Sequence, residues 1–203
     1  TALSYHAERH YKLPLLPKSK WIYFSSICGN HDEFNRELIR FVKAHPVRLA
    51  FNPGSRQMEL GLKKLKKLFA VCALLFLNRD EAERLLGRGK TIKTLLTDFS
   101  KLGVKLVVIT DGQKGSDCFD GQTFYKLGIM PAKKVETTGC GDAYGSGFLA
   151  AIVRGKTAAE AMRWGTANSA SVLTKVGAQD GLLDRQGMTA MLAKNSRVKA
   201  KII

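Results

Sequence analysis

The sequence predicts an α/β protein with a mostly parallel sheet covered on both faces by helices. Short apolar runs alternate along the chain with segments whose apolar residues recur at helical spacing. Turn-forming Pro and Gly residues sit where those runs stop, as at Pro53-Gly54 and Asp111-Gly112. The 203 residues are 45% hydrophobic, enough for one domain with a sizeable core. No internal repeat, low-complexity tract or interdomain linker breaks the pattern.

The first strand is expected over 21–25. Asp32 then reads as an N-cap, and Phe34, Leu38, Phe41 and Val42 repeat at helical spacing. A strand over 48–52 is stopped by Pro53-Gly54. An amphipathic helix over 60–69 leads to a strand over 73–77. Helices follow over 80–86 and 91–102, the second ended by Gly103. Leu106, Val107, Val108 and Ile109 mark a strand over 105–110. Two short strands around Cys118 and Phe124 form a hairpin turned by Asp120-Gly121. Ala-rich helices are expected over 143–154 and 158–174. Asp184 caps a last helix through 193.

The formal charge of +16 raises the local concentration of polyanions, ATP included. Lys63, Lys64, Lys66 and Lys67 flank Leu65 as the solvated face of a helix would, without the aromatic residues that single-strand nucleic-acid binders interleave. A nucleic-acid partner is therefore not expected. The 4 cysteines form no C-x-x-C pair and read as reduced thiols of a cytoplasmic protein. The longest apolar stretch, 69–77, is too short to span a bilayer, so no membrane partner is expected. His6 and His10 are four apart, but the residue after His6 is Ala7, which breaks the zinc-protease pattern.

The most informative stretch is Val135-Glu136-Thr137-Thr138-Gly139-Cys140-Gly141-Asp142-Ala143. Glycines at 139 and 141 let backbone N–H groups approach a ligand, and a helix then begins whose N-terminus favours negative charge. An anion site follows. A carboxylate there makes sense if Asp142 takes a proton from a hydroxyl that attacks a phosphate. Two other readings compete. Asp142 could be only a helix N-cap. Gly139, Gly141 and Gly145 also approximate a dinucleotide loop with Glu160 near the ribose position, but the residues around Glu160 read as helix where a strand end is required.

Thr137-Thr138-Gly139-Cys140-Gly141-Asp142-Ala143 with Gly147-Phe148 resembles the C-terminal signature of the PfkB/ribokinase family, D-T-T-G-A-G-D-A-F-x-x-G-F. Glu136 stands for the usual first Asp and Cys140 for the usual Ala. Asn78-Arg79-Asp80-Glu81 resembles the family's N-x-x-E motif. The stretch from Thr110 through Gly112 to Gly115 resembles its T-x-G-x-x-G turn. Asn52-Pro53-Gly54 with Arg56 resembles the stretch near the phosphoryl-transfer region, and Asn168 with Gly177-Ala178-Gln179 resembles the adenine-side helix and loop.

The resemblance implies a three-layer α/β/α ribokinase-like fold, truncated at its N-terminus, with residues 1–203 as the ATP-binding and catalytic part and about 1–11 as a remnant of the substrate lid. It implies transfer of the γ-phosphate of ATP to a hydroxyl of a sugar or nucleoside. Asp142 would be the base. The backbone at Gly139, Cys140, Gly141 and Asp142 would hold the transition-state charge. Asn78, Thr110, Gly112, Gly115 and Asn168 would line the ATP site. Glu81 would serve Mg²⁺ through water, Glu136 a monovalent cation such as K⁺, and Asn52 and Arg56 the phosphate region. A homodimer through the lid is one arrangement open to the full-length protein. The other function class is a catalytically incomplete fragment that holds ATP without turnover.

Overall fold

Strands buried on both faces need near-continuous apolar runs, and Leu74, Leu75, Phe76 and Leu77 supply one with at most 4% of any residue exposed. The computed structural model describes residues 11–13, 16, 19–27 and 32–203, with Arg56 described in its backbone alone. The lid remnant expected over 1–11 therefore lies almost wholly outside the described residues, as do His6, His10, Cys28 and the Arg56 side chain. The chain divides into two units, residues 1–107 and 108–203.

The first unit is built of parallel strands joined by helices. β1 (Trp21–Phe24), β2 (Arg48–Phe51) and β3 (Cys72–Asn78) lie side by side in that order. Trp21 pairs with Arg48 and Phe24 with Phe51; a register shift between Leu49 and Ala50 then sets Phe51 opposite Leu75. Parallel neighbours require long crossovers, here α1 (Asp32–Ala44) and then α2 (Ser55–Met58) with α3 (Gly61–Phe69). α4 (Arg79–Leu86) and α5 (Ile92–Lys101) follow β3. A chain of aromatic contacts knits this core: Phe24 stacks on Phe51 at 5.1 Å, Phe51 meets Phe69 at 6.2 Å, and Phe69 meets Phe99 edge-on at 5.5 Å.

The chain passes into the second unit within β4 (Leu106–Thr110). There β5 (Ser116–Phe119), β6 (Phe124–Leu127) and β7 (Lys201–Ile202) run antiparallel. The parallel pairing expected from the sequence holds in the first unit and gives way here. Asp120 turns the hairpin by accepting the N–H groups of Gln122 and Thr123 at 3.0 and 2.8 Å. α6 (Cys140–Val153), α7 (Ala158–Val172) and α8 (Arg185–Lys194) complete the unit. α6 and α7 cross closely because glycines face the partner helix. A Cβ on Gly147 would lie 2.9 Å from the Trp164 carbonyl oxygen, and one on Gly165 would lie 2.9 Å from that of Tyr144. Met130, Ala167, Ala170 and Met188 form a buried cluster beside α7, flanked by Trp164 and Leu183.

Candidate active site

In the second unit, Gly139 decides how α6 starts. Its backbone is left-handed (φ +79°, ψ −3°), and a Cβ there would stand 2.6 Å from the Ala178 Cβ and 2.8 Å from its Cα. Only glycine meets both conditions. Gly139 is the N-cap residue and carries no side chain to cap the first turn. The helix begins at Cys140, three residues before the sequence suggests, because the left-handed glycine lets the chain turn straight into it. Cys140, Gly141 and Asp142 thus form its first turn, with backbone N–H groups and the positive end of the helix dipole at their side. Asp142 is exposed and is not the N-cap. A carboxylate in a first turn gains from the dipole, so that purely structural role remains the alternative to be tested.

The turn from Thr110 to Gly115 lies in the same unit. β4 ends at Thr110, and Gly112–Lys114 form a single 3₁₀ turn. The Asp111 N–H donates to the Gly115 carbonyl at 2.8 Å, closing the turn. Gly112 and Gly115 have φ of +52° and +88°, and a side chain on Gly115 would run into the Leu127 carbonyl oxygen. The next residue, Ser116, accepts a hydrogen bond from the Tyr144 hydroxyl at 2.9 Å. That bond fastens the turn after β4 to the first turns of α6. Burial pushes the Tyr144 hydroxyl well above its ordinary range, so it stays a neutral donor.

Asn168 lies 5% exposed on α7. Its amide nitrogen donates to the Ala143 carbonyl at 2.8 Å and to Ser146 Oγ at 3.3 Å, and its oxygen accepts the Leu183 N–H at 2.9 Å. The side chain joins α6 to the segment before α8. Glu136 accepts the Gly177 N–H at 2.8 Å. The Thr138 side chain and then that N–H hold its carboxylate below the ordinary range. The Gly177 loop is thereby tied to the segment that enters α6. Burial raises the Cys140 thiol, which disfavours its thiolate form; its Sγ lies 3.8 Å from the Ser169 carbonyl oxygen.

In the first unit, Asn78 and Glu81 bond reciprocally. The Glu81 N–H donates to Asn78 Oδ1 and the Asn78 N–H to Glu81 Oε2, both at 2.8 Å. This capping box fixes the Glu81 carboxylate at the start of α4. Among the described residues no group of three His, Cys, Asp or Glu could hold a metal. One carboxylate of fixed orientation fits Mg²⁺ that keeps most of its waters and binds phosphate oxygens. Asn52 follows β2 and donates to the Tyr23 hydroxyl at 3.2 Å. Gly54 starts α2, its N–H donating to Gln57 Oε1 at 2.8 Å.

The sequence profile of pfkB family carbohydrate kinases matches residues 2–185. The chain belongs to that family. It is 32% identical to an ATP-dependent 6-phosphofructokinase of Thermoanaerobacterium thermosaccharolyticum over 196 residues, which cover 92% of this chain and 61% of the relative. It is 33% identical to a cytidine kinase of Thermococcus kodakarensis over 144 residues, 70% of this chain and 51% of the relative. The structure of Arabidopsis thaliana ribokinase complexed with ribose and ATP superposes with a TM-score of 0.71 at 25% identity, over 85% of this chain and 55% of that one. The fold is thus the ribokinase-like α/β fold. This pfkB family chain spans between about half and three-fifths of the length of those relatives. Among the described residues no helix is long and apolar enough to cross a membrane.

Two features of this pfkB family chain escape sequence reading. The Tyr144–Ser116 bond joins residues 28 apart that share no motif. The packing of Ala178 on Gly139 joins two motifs 39 positions apart, a contact that neither announces.

Proposed function

We propose that this chain carries the phosphoryl-transfer machinery of a kinase that moves the γ-phosphate of ATP to a hydroxyl of a sugar or nucleoside. The observation that carries the reading is the start of α6. A left-handed glycine with no capping side chain is followed by a first turn at the positive end of the helix dipole, and that turn bears the exposed carboxylate of Asp142.

The Asp142 carboxylate accepts the proton of the acceptor hydroxyl. The oxygen so freed bonds to the γ-phosphorus, the bond from that phosphorus to the β,γ-bridging oxygen breaks, and ADP leaves. The backbone at Gly139, Cys140, Gly141 and Asp142 binds the charge on the transferring group. Thr110, Gly112 and Gly115 lie along the nucleotide phosphates, where the absent side chains let the backbone approach. Asn168 acts on the nucleotide pocket through the segments it ties. In the first unit Glu81, oriented by Asn78, holds the waters of Mg²⁺, which neutralises phosphate charge when bound. Asn52 and Arg56 serve the phosphate region. No step is assigned to a monovalent cation at Glu136. Cys72, Cys118 and Cys140 are free thiols, which suits a reducing cytoplasm.

The alternative reading is that the described machinery holds ATP without turning it over. Calorimetric titration with Mg-ATP, followed by ADP release with ribose, cytidine and fructose 6-phosphate as acceptors, separates the two. Binding with acceptor-dependent ADP release supports the kinase. Binding without release from any acceptor favours the second reading, and no binding by the folded protein contradicts both.

A further inference from the structure

One carboxylate joins the segment entering α6 to the loop that follows α7. Glu136 Oε2 accepts the Gly177 N–H at 2.8 Å across 41 residues. The N–H groups of Val135 and Glu136 both donate to the Leu173 carbonyl, at 2.9 and 3.3 Å. Gly177 is left-handed at φ +94°, and its neighbour Ala178 fills the space beside Gly139. The loop after α7 is therefore shaped by Glu136 at one residue and shapes the N-cap of α6 at the next. Movement of Ala178 toward Gly139 would bring their atoms into overlap, and movement away would leave the left-handed glycine without its wall.

We propose that Glu136 is a positioning residue, whose carboxylate clamps the loop 175–181 against Gly139 and so positions the turn that starts α6. The consequence for nucleotide rests on the kinase reading above; the clamp itself does not. A loop already ordered by Glu136 need not be ordered by the nucleotide, so affinity is gained from pre-organisation.

Amide hydrogen exchange and Mg-ATP titration on three proteins test this. In Glu136→Ala, exchange over 175–181 should quicken by roughly two- to tenfold, the range of one net hydrogen bond, and ATP affinity should weaken by a similar factor. In Glu136→Gln the amide oxygen still accepts from Gly177, so both quantities should stay within about twofold of the parent. Glutamine as damaging as alanine, or unchanged exchange in the alanine variant, would each overturn the clamp. Faster exchange in an alanine variant whose parent binds no ATP would support the clamp while sinking the kinase reading.

Discussion

The hydroxyl of Tyr144 donates to Ser116 Oγ at 2.9 Å, and this bond holds the turn after β4 to the helix that starts at the anion loop. Both residues are almost closed to water, at 5% and 1% exposure, so neither can replace the other with solvent. Tyr144→Phe leaves the serine oxygen without its donor and should cost about 1–3 kcal/mol of stability. The double variant Tyr144→Phe/Ser116→Ala removes both polar groups and should recover most of that loss. Urea denaturation of the four proteins of this cycle checks it. Equal losses in the single and double variants would contradict the pairing.

Gly139→Ala meets two obstacles, the left-handed backbone and Ala178. It should destabilise by about 1–3 kcal/mol and weaken Mg-ATP binding. Adding Ala178→Gly removes the contact but not the backbone strain, so recovery should be partial. Thermal unfolding and calorimetry of the single and double variants read both effects.

Glu81 has a structural part and a proposed metal part, and glutamine separates them. A capping box accepts Glu or Gln, so Glu81→Gln should hold stability within about 0.5 kcal/mol, whereas Glu81→Ala should lose about 0.5–2 kcal/mol. The Mg²⁺ concentration for half-maximal rate should rise in both. Unchanged Mg²⁺ dependence in Glu81→Gln would leave this residue as a cap alone.

Acid should weaken the second unit through carboxylates held by hydrogen bonds. The Thr157 backbone N–H first, then Lys156 and the Thr157 hydroxyl, hold Glu160 below the ordinary value of 4.5. Burial pushes Asp120 up, but the N–H groups of Thr123 and Gln122 and the Tyr125 hydroxyl outweigh it and leave it lowered. A folded-state value depressed below the unfolded one contributes stability above the unfolded value, lost as pH falls through the folded one. The melting temperature should therefore decline as pH drops below about 4.5, and Glu160→Gln should flatten that decline. An identical pH profile in the variant would contradict this.

Much of the fold was legible because apolar periodicity is local. The runs around Trp21, Leu49, Leu74 and Val107 all lie in strands, and Asp184 caps α8 through the Gly187 N–H as expected. The start of α6 was read three residues late, since Gly139, Cys140 and Gly141 read as loop and the Ala178 contact that excludes a side chain at Gly139 is tertiary. α2 is four residues long, too short for a period to show. β7 exists because Lys201 and Ile202 pair with β6, a partner about 75 residues away that no local pattern announces. At the candidate site the motifs marked which residues to examine, but not how they are used. The Asn168 amide proves to be bonded within the protein, and the Glu136 carboxylate faces hydrogen-bond donors. Such partners are set by tertiary contact and leave no periodic trace.

The most direct test of the kinase reading is the turnover of Asp142→Asn, measured as acceptor-dependent ADP release beside a Mg-ATP titration. Asparagine keeps the size and leaves the N-cap at Gly139 untouched; the first-turn charge it gives up is worth about 0.3–1 kcal/mol of stability. It is unable to take the acceptor's proton. If Asp142 is the general base, kcat should fall by about 10²–10⁴-fold while ATP binds as tightly as before or more so. A kcat within about twofold of the parent would show that the carboxylate serves only the helix, and would contradict the account.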